Sequence, residues 1–401
     1  MIEFDEAVSL ALEKAPGPIG TETISIYQSV GRVLALDLKS DVNLPPFDRS
    51  GMDGFAVRSK DLASLPVKLK VVMDIPAGIT PEGTINSGEA ASIMTGAPVP
   101  EGADCVVQVE WTSGFGASDV IVNKVVERGK NVSPLGEITQ IGQVVLRAGT
   151  VLSVEEIGLA AAVGCDPVTV YLKPRVAILS TGDEVVAPSQ TPGASQIRDV
   201  NGPATASFVR TLGLEPVLLG CVKDNQDSLR AAVEQGLEYD CLLLSGGVSA
   251  GAYDFVEDVL DHLGVEVFFR RSAVKPGKPT VFGTRGDRMV VGLPGNPASS
   301  MVISRLLVAP ALRKMMGHQK TETKMIKARL TSDIRKKPNR RWYLYGDLVF
   351  DKELTVRPLN SKGSADLLPG VSGNCLILAE KGLSQIDAGT FVDVVIWERS
   401  L

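Results

Sequence analysis

Histidine is nearly absent. The 401 residues include only His262 and His318, so neither a histidine-rich metal centre nor a Ser-His-Asp triad suits the chain. Cysteine is sparse too. Cys105, Cys165, Cys221, Cys241 and Cys375 are far apart and sit mostly in apolar runs such as YDCLLLSGG, so reduced core thiols are expected rather than ligands or nucleophiles. No apolar stretch reaches bilayer length, which argues against a membrane-spanning helix. The opening MIEFDEAVSLALEKAPG carries early acids in place of a basic leader, so a cytoplasmic protein without a secretory signal is expected. Positive charge is also short. Lys and Arg number 41 against 47 Asp and Glu, a net charge of −6, which argues against a nucleic-acid surface and makes any phosphate site a local one.

What is present points to several domains, because the chain is too long for one core. Residues 4–15 have apolar positions at helical spacing and stop at PGPIG. From about 24 to 175, short alternating runs such as VKLKVVMDI are cut by Gly, Pro or Asn and read as strands. One more helix is expected in VLSVEEIGLAAAVG. Between about 175 and 317 strand, loop and helix repeat, with strands apolar on both faces, which implies a parallel sheet covered on both sides. In that region Val256, Val259, Leu260 and Leu263 form one helical stripe closed by Gly264. Asn296 and Pro297 open a later helix that Pro310 is expected to kink or end. The expected fold is multidomain α/β plus β. Residues 1–44 with 142–174 make a mixed domain, 45–141 an inserted β domain, 175–322 a doubly wound α/β domain and 323–401 a small β domain.

In an open parallel sheet, ligands bind beyond the carboxyl ends of the strands. The first strand leads into STGDE with Glu184, the second into Lys223-Asp224-Asn225, and the third into SGGVSAG. In that last loop Ser245, Gly246, Gly247 and Ser249 can form an anion nest, although the spacing is neither a P-loop nor a dinucleotide fingerprint. KPGKP sets Lys275 and Lys278 three residues apart on a proline-stiffened loop, a pair suited to an oxyanion or simply a solvated basic turn. Glu184, Asp224 and Asp254 follow different strands, and are either hard oxygen ligands for magnesium or surface capping acids. The loop LPGNPASS, with Pro294, Asn296 and Ser299, offers a second anion site or plain helix capping. Together these parts suit magnesium-assisted phosphoryl or nucleotidyl chemistry. In the β half, Thr95 sits on a Gly-Pro turn. PPFDRSGMDGFAV places Asp53 on a turn whose prolines set an extended backbone and whose glycines permit positive φ.

Six stretches in order, PPFDRSGMDGFAV, IMTGAPVPEGADCVVQVE, STGDE, SGGVSAGAYDF, KPGKP and GLPGNPASS, resemble the molybdopterin molybdenumtransferase (MoeA) family, which also occurs as the E domain of gephyrin-type proteins. The resemblance covers nearly the whole chain. It implies a homodimer whose active site joins the doubly wound domain of one subunit to the inserted domain of the other. The implied reaction inserts molybdate into adenylated molybdopterin with Mg2+, releasing AMP and the molybdenum cofactor, with a molybdopterin adenylyltransferase as the upstream partner. By motif, Asp53, Thr95, Glu184, Asp224 and Asp254 line the nucleotide and magnesium region. Lys275, Lys278, Ser299 and Ser364 hold molybdate or phosphates. Arg341, in KKPNRRWYLYG, stands for the family's anion-binding arginine. The substrate's own dithiolene sulfurs ligate the metal, so the protein needs neither cysteine nor histidine for it. The chain departs from the family at Ile138, where an acid is usual, and in KKPNRRWYLYG, where Arg-Pro-Glu-Phe is usual. The alternatives are a dimeric gephyrin-like scaffold and a molybdopterin adenylyltransferase.

Overall fold

The computed structural model describes residues 1–247 and 255–397. They divide into two compact units, Thr23–Thr169 and, for the rest, Met1–Glu22 with Val170–Leu401. Both helices expected in the first 175 residues are present, α1 (Phe4–Lys14) and α2 (Val154–Ala162). The first turn of α2 is closed by Glu156, whose carboxylate accepts the Ser153 amide at 3.0 Å.

The core of the Thr23–Thr169 unit is a five-stranded sheet. Its strands are β1 (Gly54–Val57), β2 (Val67–Ile75), β3 (Glu89–Ile93), β4 (Cys105–Gln108) and β5 (Asp119–Val122), ordered β4-β1-β3-β2-β5. Every residue of β1 is buried. Side chains alternate across a strand, so Phe55 and Val57 enter a core with Leu69, Val107 and Val120, while Ala56 enters a second core with Ile75, Ile93 and Val106. Neither Gly51 nor Gly54 uses the positive φ that glycine permits. Gly54 is required for space instead, because a Cβ there would lie 2.0 Å from the Val107 carbonyl oxygen across the β1–β4 pairing.

In the second unit, the repeating region folds into a six-stranded sheet of β6 (Val176–Thr181), β7 (Pro216–Val222), β8 (Cys241–Ser245), β9 (Glu266–Arg271), β11 (Pro279–Arg285) and β12 (Arg288–Leu293); the two-residue β10 (Val274–Lys275) pairs elsewhere. The order is β7-β6-β8-β12-β11-β9. The first four strands are mutually parallel, as expected. β11 runs antiparallel to both its neighbours, β12 and β9; only Gly286 and Asp287 separate it from β12, and a two-residue link can close only a hairpin. Both faces are covered. Val176, Ile178, Leu243 and Val291 pack under α1, α3 (Asn201–Thr211), α6 (Pro297–Ile303) and α7 (Ala309–Met315). Ala177, Leu179, Leu244 and Val290 pack under α4 (Gln226–Gly236) and α5 (Val256–His262).

The stripe Val256, Val259, Leu260 and Leu263 is buried as its spacing requires, and Gly264 takes φ +73° where the helix stops. Pro310 does not end its helical stretch. It lies in the first turn of α7, where its missing N–H is tolerated, and a π-helical turn over Ser304–Val308 joins α6 to α7.

The last strands are β13 (Met325–Leu330), β14 (Arg341–Phe350), β15 (Leu354–Pro358), β16 (Cys375–Ala379) and β17 (Phe391–Ile396). Their pairing runs β14-β15-β13-β17-β16 and returns to β14, so this sheet closes on itself. Closure leaves little free edge. β10 joins it through parallel pairs Val274 with Arg341 and Lys275 with Trp342.

Substituting Gly54→Ala should destabilise the protein by about 1–3 kcal/mol through overpacking. Gly51→Ala, whose Cβ would meet its nearest neighbour at 3.4 Å, should leave the thermal midpoint almost unchanged. Equal midpoints for the two variants would contradict the assignment.

Candidate functional site

Because β6, β7, β8 and β12 are parallel, their carboxyl ends reach one edge of the sheet. The antiparallel β11 begins at that same edge, so the KPGKP loop before it arrives there too. A cavity of ≈ 1320 Å³ lies at this edge, walled on its other side by residues of the closed β sheet. It takes in Glu184 after β6, Asp224 after β7, and Ser245, Gly246 and Gly247 at the end of β8. Lys275, Lys278, Pro294, Asn296, Ser299 and Ser364, also singled out in the sequence, line it as well.

Local geometry explains several of these residues. Gly246 and Gly247 take φ +98° and +60°, a region that favours glycine. A Cβ on Gly246 would also lie 2.5 Å from the Thr181 carbonyl oxygen. Ser299 is buried in the first turn of α6 behind Pro297, and the Ser364 carbonyl accepts the Ala298 amide at 3.1 Å, tying the two loops together. Asn296 makes no side-chain cap, contrary to expectation. Ser249 and Asp254 lie outside the described residues.

The acids interact. Burial, followed by the charges of Asp183 and Glu184, pushes the Asp224 carboxyl above its usual pKa. Burial together with Asp199, Asp224 and Glu184 pushes the Cys221 thiol up to about 11. Cys221 is exposed on the edge strand β7 and Cys165 is half-buried, while Cys105, Cys241 and Cys375 are the core thiols the sequence suggests. Among the described residues no group of three or more His, Cys, Asp or Glu could enclose a metal. Glu184 and Asp224 still fit magnesium, which is commonly held by one or two carboxylates with water and substrate phosphate; a cation there would relieve the repulsion that raises Asp224.

Cations share the cavity. Lys275 is exposed to it, and partial burial, then Arg340 and Lys337, lower its pKa below the usual lysine value. Arg341 does not line the cavity. Its guanidinium meets Asp5 and grips Glu380 at 3.0 and 3.2 Å. Successive side chains of an extended chain leave opposite faces, and the arginine that lines the cavity is the preceding one, Arg340. Asp199, Asn201 and Trp342 also line it without having been singled out. Asp199 accepts the Gly202 amide at 2.9 Å and the Ser180 hydroxyl at 3.0 Å. An acid two residues before the helix beginning NGPATAS was the available signal, and it reads equally well as a cap.

Asp53 and Thr95 belong to the Thr23–Thr169 unit and meet there. The Thr95 hydroxyl donates to Asp53 Oδ1 at 2.7 Å and the Thr95 amide donates to the same oxygen at 2.6 Å. These two bonds hold the exposed Asp53 carboxyl below its usual pKa. Thr95→Ala removes the hydroxyl bond, so Asp53 should titrate at higher pH in that variant, as read by carboxyl-carbon NMR. An unmoved titration would contradict the pairing.

The chain matches the description "MoeA N-terminal region (domain I and II)" over residues 2–164. It matches "Probable molybdopterin binding domain" over 177–314 and "MoeA C-terminal region (domain IV)" over 327–397. It is 39% identical to a molybdopterin molybdenumtransferase of Nostoc over 386 residues, 94% of this chain and 88% of that one. A protein of the same name from Haemophilus influenzae is 32% identical over 98% of both chains. Among solved structures, a molybdopterin biosynthesis MoeA protein from Pyrococcus horikoshii superposes with TM-score 0.86 at 28% identity, covering 99% of this chain and 100% of that one. On matches that span its length in both sequence and fold, the chain belongs to the MoeA family of molybdopterin molybdenumtransferases.

Proposed function

We propose that the protein inserts molybdate into adenylated molybdopterin and releases AMP, leaving the metal on the dithiolene sulfurs of its substrate. The observation that carries this reading is the composition of one cavity: Lys275, Lys278 and Arg340 open into it beside the glycine turn Gly246-Gly247, and Glu184 and Asp224 line it as well. Oxyanion and phosphate groups call for the cations and the turn. The sulfur ligands come with the substrate, which accounts for a site without histidine or cysteine ligands.

In this reading Lys275, Lys278 and Arg340 hold the oxyanion and the substrate's phosphates, with the Ser299 and Ser364 hydroxyls as further donors. Fixed cations that meet charge as it develops lower a barrier without reorganisation during the reaction. Glu184 and Asp224, with Asp254, would hold magnesium. An ion held there would neutralise phosphate charge and make AMP a better leaving group. Asp53, held by Thr95, serves the nucleotide and magnesium end of the partner subunit's cavity in this reading. The reading includes a homodimer in the cytoplasm, supplied by a molybdopterin adenylyltransferase. No helix among the described residues is long and apolar enough to cross a membrane.

Lys278→Ala and Asp53→Ala should each keep the wild-type thermal midpoint. Each should lose about 10²-fold or more of cofactor formation from adenylated molybdopterin and molybdate, the scale of removing one charge-stabilising group. Normal turnover in both would overturn the site assignment. ATP consumption by the wild-type protein, with no use of the adenylated substrate, would favour the adenylyltransferase instead.

A further inference from the structure

Trp342 is the residue that the proposed chemistry leaves unexplained. It lines the cavity, and one side of it packs against the core of the closed β sheet, with Leu348, Ile377 and Ile334 among that core's members. Its Nε1–H is buried and has no hydrogen-bond partner. A buried indole usually finds one, so the placement of this ring is set by something other than its N–H. The ring face supplies the reason. The Lys275 ammonium sits 3.7 Å from the ring centroid, and the Lys336 ammonium lies 6.0 Å from it.

The contact with Lys275 is built into the backbone. β10 and β14 run parallel with Lys275 directly opposite Trp342, so the two side chains are held in register. The surroundings of Lys275 are otherwise repulsive, with Arg340 and Lys337 both acting on it. Among the described ion pairs, none gives Lys275 a carboxylate. Lys336 has its own partners, the carbonyl oxygens of Arg340 at 3.1 Å and Lys337 at 3.4 Å. The negative face of the indole quadrupole is therefore the attractive group that Lys275 meets before any ligand arrives.

We propose that Trp342 is a positioning residue for oxyanion binding, its indole face holding the Lys275 ammonium at the cavity wall where the anion lands. The inference rests on the proposed molybdate reaction and adds a residue to it. A flexible four-carbon stem repelled by two neighbouring cations would otherwise swing towards solvent, and the ordering would have to occur as the anion binds. An acid at position 342 would give the ammonium a competing anion. The indole attracts the cation while leaving its charge free for the ligand.

The test is the dissociation constant of molybdate for the full chain, measured by calorimetry. Trp342→Leu should raise it about 2- to 5-fold, the range of a cation–π contact at an accessible site, whereas Trp342→Phe should recover most of the loss. The decisive measurement is a cycle with Lys275→Met. Because Trp342 acts through Lys275, adding Trp342→Leu to Lys275→Met should weaken binding no further. A purely structural role would make the two losses multiply, which would overturn the inference. If Trp342→Leu does not fold, fluorinated tryptophans introduced at position 342 alone keep the shape and weaken the ring face. Affinity should then fall stepwise with fluorine count, and a flat series would overturn the inference. Wild-type protein that binds no molybdate would remove both the proposed reaction and this inference. Wild-type binding with unchanged Trp342 variants would remove the inference alone.

Discussion

The parallel pairing of four strands is the constraint from which the site follows. With β6 between β7 and β8, and β8 paired to β12, four chain segments must turn at the same sheet edge. Each turn there is free of the ladder and carries what a packed strand cannot: glycines at positive φ, paired acids, and a helix start behind proline. The short hairpin from β11 to β12 adds a fifth segment by running backwards, which delivers Lys278 to the edge where the parallel strands end. Cations and acids therefore converge at one edge, which the two apolar clusters on the sheet faces support from either side.

The closed β sheet is the second half of the cavity wall. Its strand β14 sets β10 in parallel register, and that short pairing connects the core of one layer to the ammonium of Lys275. Packing energy stored in a dry core is thereby used to fix a charged group at the cavity surface. Arg340 and Arg341 divide their labour in the same place: one faces the cavity, and the other is consumed by Asp5 and Glu380 and ties α1 to the closed sheet.

Much of this was legible in the sequence because periodicity and turn chemistry act locally. The stripe from Val256 to Leu263, the glycine pair after CLLLS and the two proline-glycine loops all appear where their residue types require. What was not legible depended on neighbours distant in sequence. Two adjacent arginines cannot be told apart until the strand's phase is known, and it is Arg340, not Arg341, that lines the cavity. Gly54 reads as a turn glycine, yet its need is the Val107 carbonyl lying against it. Pro310 signals a helix end, although a π-helical turn absorbs the change and the proline opens the next helix. Trp342 gives no sign in sequence, since a tryptophan in a strand is more often core than part of a binding wall.

The central claim is that the cations at this edge receive molybdate. Anomalous diffraction at the molybdenum edge, from crystals soaked with molybdate, tests it most directly. The account predicts one strong peak within hydrogen-bonding reach of Lys275, Lys278 or Arg340. A reproducible peak elsewhere, with none in this cavity, would contradict it.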